Sequence, residues 1–212
     1  MFKRIKERYK YSIILLKELV RTDFKIKYQD SVLGYIWSVL KPLFIFAILY
    51  VVFLRVLRVG ANIENWTVAL LCGVVLWQFF SDVTSGALKS IVHNGNLLRK
   101  IKFPRYIIIV SNAMSALITL AINSVVILLF AVINGVPFTV DIIAVLPLIL
   151  ELFIFALGVA LILSAVYVKF RDIQYIWDVI SQGLFYGSAI IFPVSMIATI
   201  GGELGDFLTK VA

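Results

Sequence analysis

The sequence predicts an all-α polytopic membrane protein, with an N-terminal interfacial amphipathic helix followed by five transmembrane helices. Three observations carry that prediction. Apolar residues make up 62% of the 212 and charged residues 15%, whereas a soluble domain sits nearer half apolar and a quarter charged. The apolar excess is gathered into runs long enough to cross hydrocarbon. The net charge of +8 is segregated: nine Lys and Arg crowd residues 3–27, five more lie within 89–105, and alternate loops are nearly bare of them. That is the positive-inside pattern of a membrane protein, not a nucleic-acid groove. Backbone groups in lipid must bond internally and no alternating barrel pattern is present, so the spans are read as helices.

Residues 5–22 form the first element. Ile5, Tyr9, Ile13, Leu16 and Val20 recur at helical spacing, while Lys6, Lys10, Lys17 and Arg21 share another face. The expected place is the headgroup layer, cations toward anionic lipid; a soluble helix packed on a partner is the alternative. No cleavable signal peptide is visible, so the first true span is expected to direct insertion. Residues 25–42 then pass without a break from basic to apolar. Within them Leu33-Gly34 permits a sharp change of direction, Trp37 anchors at the interface, Lys41 snorkels back to the cytosolic surface, and Pro42 relaxes the helix early in the span.

The first span is placed at about 37–57, the second at 66–88 and the third at 106–133. Asn134-Gly135-Val136-Pro137 makes a tight turn with no Lys or Arg; the fourth span follows at 142–168 and the fifth at 176–200, broken late by Pro193. Counting cations puts the N-terminus, the 89–105 loop and the 169–174 loop in the cytosol, with Arg55 and Arg58 opposed but outvoted. Residues 201–212 are left as an external tail. A single permease domain over 1–212 is expected, truncated at its C-terminus.

No phosphate-binding Gly-x-x-x-x-Gly-Lys-[Ser/Thr] loop is present, so ATP is not held here by that device. His93 and Cys72 make no metal-ligand spacing; His93 is read as a helix-end residue and Cys72 as a small core hydrophobe. Residues 93–105, HNGNLLRKIKFPR, set Leu97, Leu98, Ile101 and Phe103 at near-helical spacing beside Arg99, Lys100, Lys102 and Arg105. An apolar face with a charged rim suits docking on a soluble partner, and equally a helix lying on the lipid surface. Asp82 and Asp178 lie toward cytosolic ends. Glu151 is deeper, about 13 Å into the fourth span, where it is read as lining a polar pathway, pairing with another helix, or taking up a proton. Trp37, Trp66 and Trp177 are read as interfacial anchors.

Taken in order, the basic amphipathic helix, Ser31–Pro42 (SVLGYIWSVLKP), Asn96–Arg105 (NLLRKIKFPR) and Phe170–Ile173 (FRDI) resemble the permease of type-2 ATP-binding cassette exporters, in the O-antigen, teichoic acid and capsular polysaccharide branch. The resemblance covers essentially the whole chain. It implies a six-span subunit of the bacterial cytoplasmic membrane that forms a homodimer and binds a separate cytosolic ATPase, which alone holds ATP. It further implies that Asn96, Leu97, Leu98, Arg99, Lys100, Ile101, Lys102, Phe103, Pro104 and Arg105 form the element coupled to the ATPase. Arg171 and Asp172 would sit in the second cytosolic turn, and Leu33, Gly34, Trp37, Lys41 and Pro42 would join the surface helix to the first span. A lipid-linked glycan would pass between two copies. Efflux of a small drug or lipid is the alternative within the class. An ion-coupled secondary transporter using Glu151 is the alternative outside it, and it expects internal repeats that are not found.

Overall fold

The computed structural model describes residues 13–23, 34–56, 65–93, 104, 106–137, 142–188 and 190–191. All elements among them are helical. Helix α1 covers residues 13–23, the described part of the predicted amphipathic helix. Leu19 is its buried residue, while Ile13, Ile14, Lys17, Glu18 and Arg21 are exposed. A short 3-10 turn, Gly34–Ile36, leads into α2, Trp37–Leu49, which continues as a wider π-type winding over Tyr50–Val56. Gly34 has φ of +48°, a conformation open to glycine and strained for other residues. Gly34→Ala is therefore expected to cost about 1–2 kcal/mol, read as a lower thermal midpoint in detergent. An unchanged midpoint would remove this role for Gly34.

Three long helices follow: α3, Trp66–His93; α4, Tyr106–Ile133; and α5, Ile142–Lys169. They match the second, third and fourth predicted spans, and each is long and apolar enough to cross a membrane. Asn65 precedes α3 with φ of 58°, and its carbonyl accepts from Val68 and Ala69 N–H to open the helix. The predicted turn after α4 is a Schellman motif. Gly135 (φ +70°) donates its N–H to Val132 and Val136 donates to Ala131, which satisfies carbonyls that the helix end would otherwise leave open to lipid.

The fifth predicted span departs from expectation. Its helix, α6, runs Ile173–Gly187 and stops six residues before the anticipated break at Pro193, which lies outside the described residues, as does the tail. Ser188 leaves the helix in extended conformation (ψ 149°). Ile190 then packs against Gly73 and Ile191 is fully buried. This places the Ile190 side chain on α3, a contact that a continuing helix would carry away.

Helix α3 is the centre of the bundle. Leu70, Leu71, Val74, Phe79, Val83, Ala87 and Leu88 are buried along it. Opposite them stand Ala113, Ala116 and Leu120 of α4, and Ala156, Ala160 and Leu163 of α5. Lipid tails are as apolar as leucine, so helix association in a bilayer rests on close packing, and small residues at the seams allow it. The outer face of α5, with Leu146, Leu150, Ile154 and Ile162, stays exposed. Trp177 corrects its reading as an interfacial anchor. It is 8% exposed and sits in the core, its ring 6.2 Å from that of Phe80, because it falls on the single buried stripe of an otherwise exposed α6.

Candidate functional site

The polar groups of the bundle concentrate on one face of α4. Ser111, Ser115, Thr119 and Asn123 recur every four residues and are all buried, so they form a stripe along the helix. At its N-terminal end the stripe holds α1. The Ser111 hydroxyl donates to the Asp23 carboxylate at 2.6 Å, and Ser115 donates to the Val20 carbonyl at 3.4 Å. Thr119 bonds back to Ser115 within the helix, and Asn123 Nδ2 donates to the Thr119 carbonyl at 2.9 Å.

Asn123 Nδ2 also donates to the Ser38 carbonyl of α2, at 3.1 Å. That carbonyl lies four residues before Pro42, which has no N–H to complete the helical bond. In hydrocarbon an orphaned carbonyl costs several kcal/mol. Asn123 supplies the missing donor, so the proline at the start of α2 is stitched to α4. Pro42 thus leaves a carbonyl on α2 that α4 takes up.

On the neighbouring face, Asn112 Nδ2 donates to the carbonyls of Asp82 and Val83 at 3.3 and 3.2 Å. Those carbonyls are reached because Gly86 has no side chain. A Cβ there would stand 2.5 Å from Asn112 Oδ1 and 2.7 Å from Nδ2. Asp82 itself accepts from Gln78 Nε2 at 2.7 Å.

Between α1, Lys41 of α2 and the facing parts of α3 and α4 lies a cavity of about 790 Å³. Leu15, Leu19 and Ala116 contribute apolar wall, whereas Glu18, Asp23, Lys41, Asp82 and Lys89 contribute charge. Lys41, expected to snorkel, is exposed at this mouth.

The other predicted residues are distributed as follows. Trp37 is exposed, with its ring 6.5 Å from that of Phe44. Leu33, Asn96, Leu97, Leu98, Arg99, Lys100, Ile101, Lys102, Phe103 and Arg105 lie outside the described residues. Pro104 is described and exposed, and its carbonyl accepts from Ile107 N–H at 3.1 Å, opening α4. Arg171 and Asp172 are both exposed in the turn between α5 and α6. The Arg171 guanidinium lies 5.1 Å over the Tyr167 ring, and the Tyr167 hydroxyl donates to Gln174 Oε1 at 3.4 Å, so the turn is tied to both helices it joins. Glu151 is exposed on the outer face of α5, away from the buried stripe.

Aromatic rings form a second cluster, between α3, α5 and α6. Phe80 lies 6.0 Å from Phe155 in a near-parallel stack, Phe79 6.5 Å from Phe153, and Trp77 5.5 Å from Phe185. These contacts join α3 to α5 and α6.

The profile of the ABC-2 type transporter family matches residues 14–201. The chain belongs to that family. An O-antigen export system permease protein RfbA of Klebsiella pneumoniae is 33% identical over 188 residues, which span 88% of this chain and 72% of that protein. A second Klebsiella pneumoniae protein of that name is 31% identical over the same shares. One from Myxococcus xanthus is 27% identical over 197 residues, 93% of this chain and 75% of that protein.

For this ABC-2 type chain, the polar stripe on α4 was not anticipated from the sequence. The signal was there, as Ser, Ser, Thr and Asn at a four-residue repeat in an otherwise apolar run. The Gly86–Asn112 contact had no comparable signal, because its partners lie on different helices.

Proposed function

We propose that this chain is the transmembrane subunit of an ATP-driven exporter that moves a lipid-linked polysaccharide, of O-antigen, teichoic acid or capsule type, across the bacterial cytoplasmic membrane. The observation that carries the reading is the match, over most of the chain, to proteins named as O-antigen export permeases, within the ABC-2 family. The N-terminus is assigned to the cytosol on the cation distribution. A separate cytosolic ATPase supplies ATP hydrolysis, and a second copy of the chain completes the pathway. Glu151 is assigned to that pathway. Its support is a carboxylate exposed beside Leu148, Leu150, Ile154 and Phe155, where bare lipid would be a costly neighbour.

Residues 96–105 are assigned to ATPase docking, and Arg171 and Asp172 to support of the same interface. The docking segment leads directly into α4, and α4 is bonded to α1 through Ser111 and Ser115 and to α2 through Asn123. A push on the docking segment along α4 therefore carries α1 and α2 with it as a rigid group.

Reversing Arg99 and Lys100 to glutamate tests this. Export is expected to fall about tenfold or more, as the loss of a charged interface contact implies, with normal membrane insertion and loss of ATPase co-purification. Export and co-purification that both survive would overturn the docking assignment.

A further inference from the structure

At the C-terminal end of α5 an apolar surface runs into charge. Gly158, Leu161, Ile162, Ala165, Val168 and Lys169 are exposed at helical spacing, so they share one outward stripe. The stripe carries no charge until Lys169 closes it, and Phe170, 58% exposed, follows at once. Length sets the depth of that end. With 28 residues, α5 measures about 42 Å. A bilayer with its headgroups is about 40–45 Å thick, so a helix of this length that crosses the hydrocarbon brings Lys169 to the headgroup layer.

Two cations stand at this turn, each laid over a ring. Lys169 Nζ is 5.2 Å from the centre of the Phe170 ring, and the Arg171 guanidinium is 5.1 Å from that of Tyr167. A ring attracts a cation but leaves most of its N–H donors unused. Among the described residues neither cation forms an ion pair, and the exposed Asp172 and Asp178 bond to neither. Tyr167 is itself tied, its hydroxyl donating to Gln174 at 3.4 Å, so the ring beneath Arg171 is held to the start of α6.

These donors suit an anionic oxygen ligand. A phosphodiester offers several acceptor oxygens, which a guanidinium engages in pairs and an ammonium singly. A carboxylate on a soluble partner carries the same charge. Such a partner would also have to cover Val168, Phe170 and the stripe behind them, whereas the acyl chains of a lipid cover them as part of the same molecule.

We propose that Lys169 and Arg171 bind the headgroup of an anionic phospholipid, whose acyl chains lie along the exposed stripe of α5 and against Phe170. The lipid holds the turn between α5 and α6 at the membrane surface, at a fixed height for whatever docks beside it. Neither the cargo nor the ATPase enters into this binding.

The test puts p-benzoylphenylalanine in place of Phe170, which keeps a ring beside Lys169. The full chain is reconstituted into vesicles of equal parts dioleoyl phosphatidylcholine and dioleoyl phosphatidylglycerol. Irradiation links residue 170 to its neighbour, and mass spectrometry of the peptide identifies what was linked. The two lipids share acyl chains and differ in net charge, so their ratio in the adduct reads the headgroup preference. A bias of about tenfold toward the glycerol lipid is expected in the parent, and Lys169→Gln and Arg171→Gln are each expected to lower it about fivefold. The double variant is expected to reach parity. Lys169→Arg keeps the charge and is expected to keep the bias. Lys17→Gln, at an exposed position of α1, controls for the overall charge of the protein and is expected to match the parent. Parity in the parent would overturn the proposal. So would a bias that survives the double variant, or one that Lys17→Gln lowers as far, since either traces it to the protein's general charge. Adducts to a second copy of the chain in place of lipid would overturn the assignment to a lipid.

Discussion

Replacing Asn123 with leucine is expected to destabilise the chain by about 1–2 kcal/mol, and most of that loss is expected to disappear when Pro42 is alanine. The reason is specific to the Ser38 carbonyl. In the parent, Pro42 has no N–H and Asn123 Nδ2 is the side-chain donor that reaches Ser38, at 3.1 Å. Leucine fills similar space but donates nothing, so this bond to the Ser38 carbonyl is lost. Alanine at position 42 restores the helical donor and makes Asn123 redundant for that bond. The remaining cost is the bond from Asn123 to Thr119 within α4, which a helix surface replaces at little expense. The measurement is a double-mutant cycle on unfolding midpoints in mixed micelles. A coupling of about 1 kcal/mol is expected. Equal losses in both backgrounds would show that the Asn123–Ser38 bond contributes nothing beyond local packing.

A larger effect is expected at Gly86. Valine there places its Cβ within 3 Å of three atoms of the Asn112 side chain, at the crossing of α3 and α4. Either Asn112 rotates away and loses its bonds to the Asp82 and Val83 carbonyls, or the two helices separate. Overpacking together with those lost bonds amounts to about 2–4 kcal/mol. Asn112→Ala alone costs about 1 kcal/mol and, combined with Gly86→Val, is expected to recover part of the stability by making room. Gly158→Val is the control, because nothing lies within 4 Å of a Cβ at Gly158. Thermal unfolding followed by helical circular dichroism reads all four variants. A Gly86→Val protein that melts with the parent would mean that the crossing yields without strain.

These two sites explain how much was legible in the sequence. The spans were legible because hydrocarbon imposes a length and a composition on any helix that crosses it, and α3, α4 and α5 meet both. The turn at Asn134-Gly135 was legible because a Schellman motif needs a residue at positive φ, and Gly135 provides it. Gly34 was legible for the same reason. The end of α6 was not. Gly187-Ser188 is a weak stop compared with Pro193, and just beyond it Ile190 packs on Gly73 of α3, a contact more than a hundred residues away in sequence. Trp177 was misplaced on similar grounds. A tryptophan near a span end reads as an anchor until a neighbour such as Phe80 is known to receive it.

By itself the sequence determined that this is an all-helical membrane chain, where its long spans lie, and that it resembles an export permease. Those properties depend on local composition and on periodicity along one helix, both of which are written in order along the chain. Only the tertiary structure decided which polar groups satisfy one another. Pro42 relies on Asn123, Asn112 on Gly86, and Asp23 on Ser111, across 81, 26 and 88 positions. A polar side chain inside a membrane needs a partner, but neither spacing nor composition says on which helix the partner stands. That depends on how α1, α2, α3 and α4 pack together, and the cavity beneath α1 exists only once they have done so.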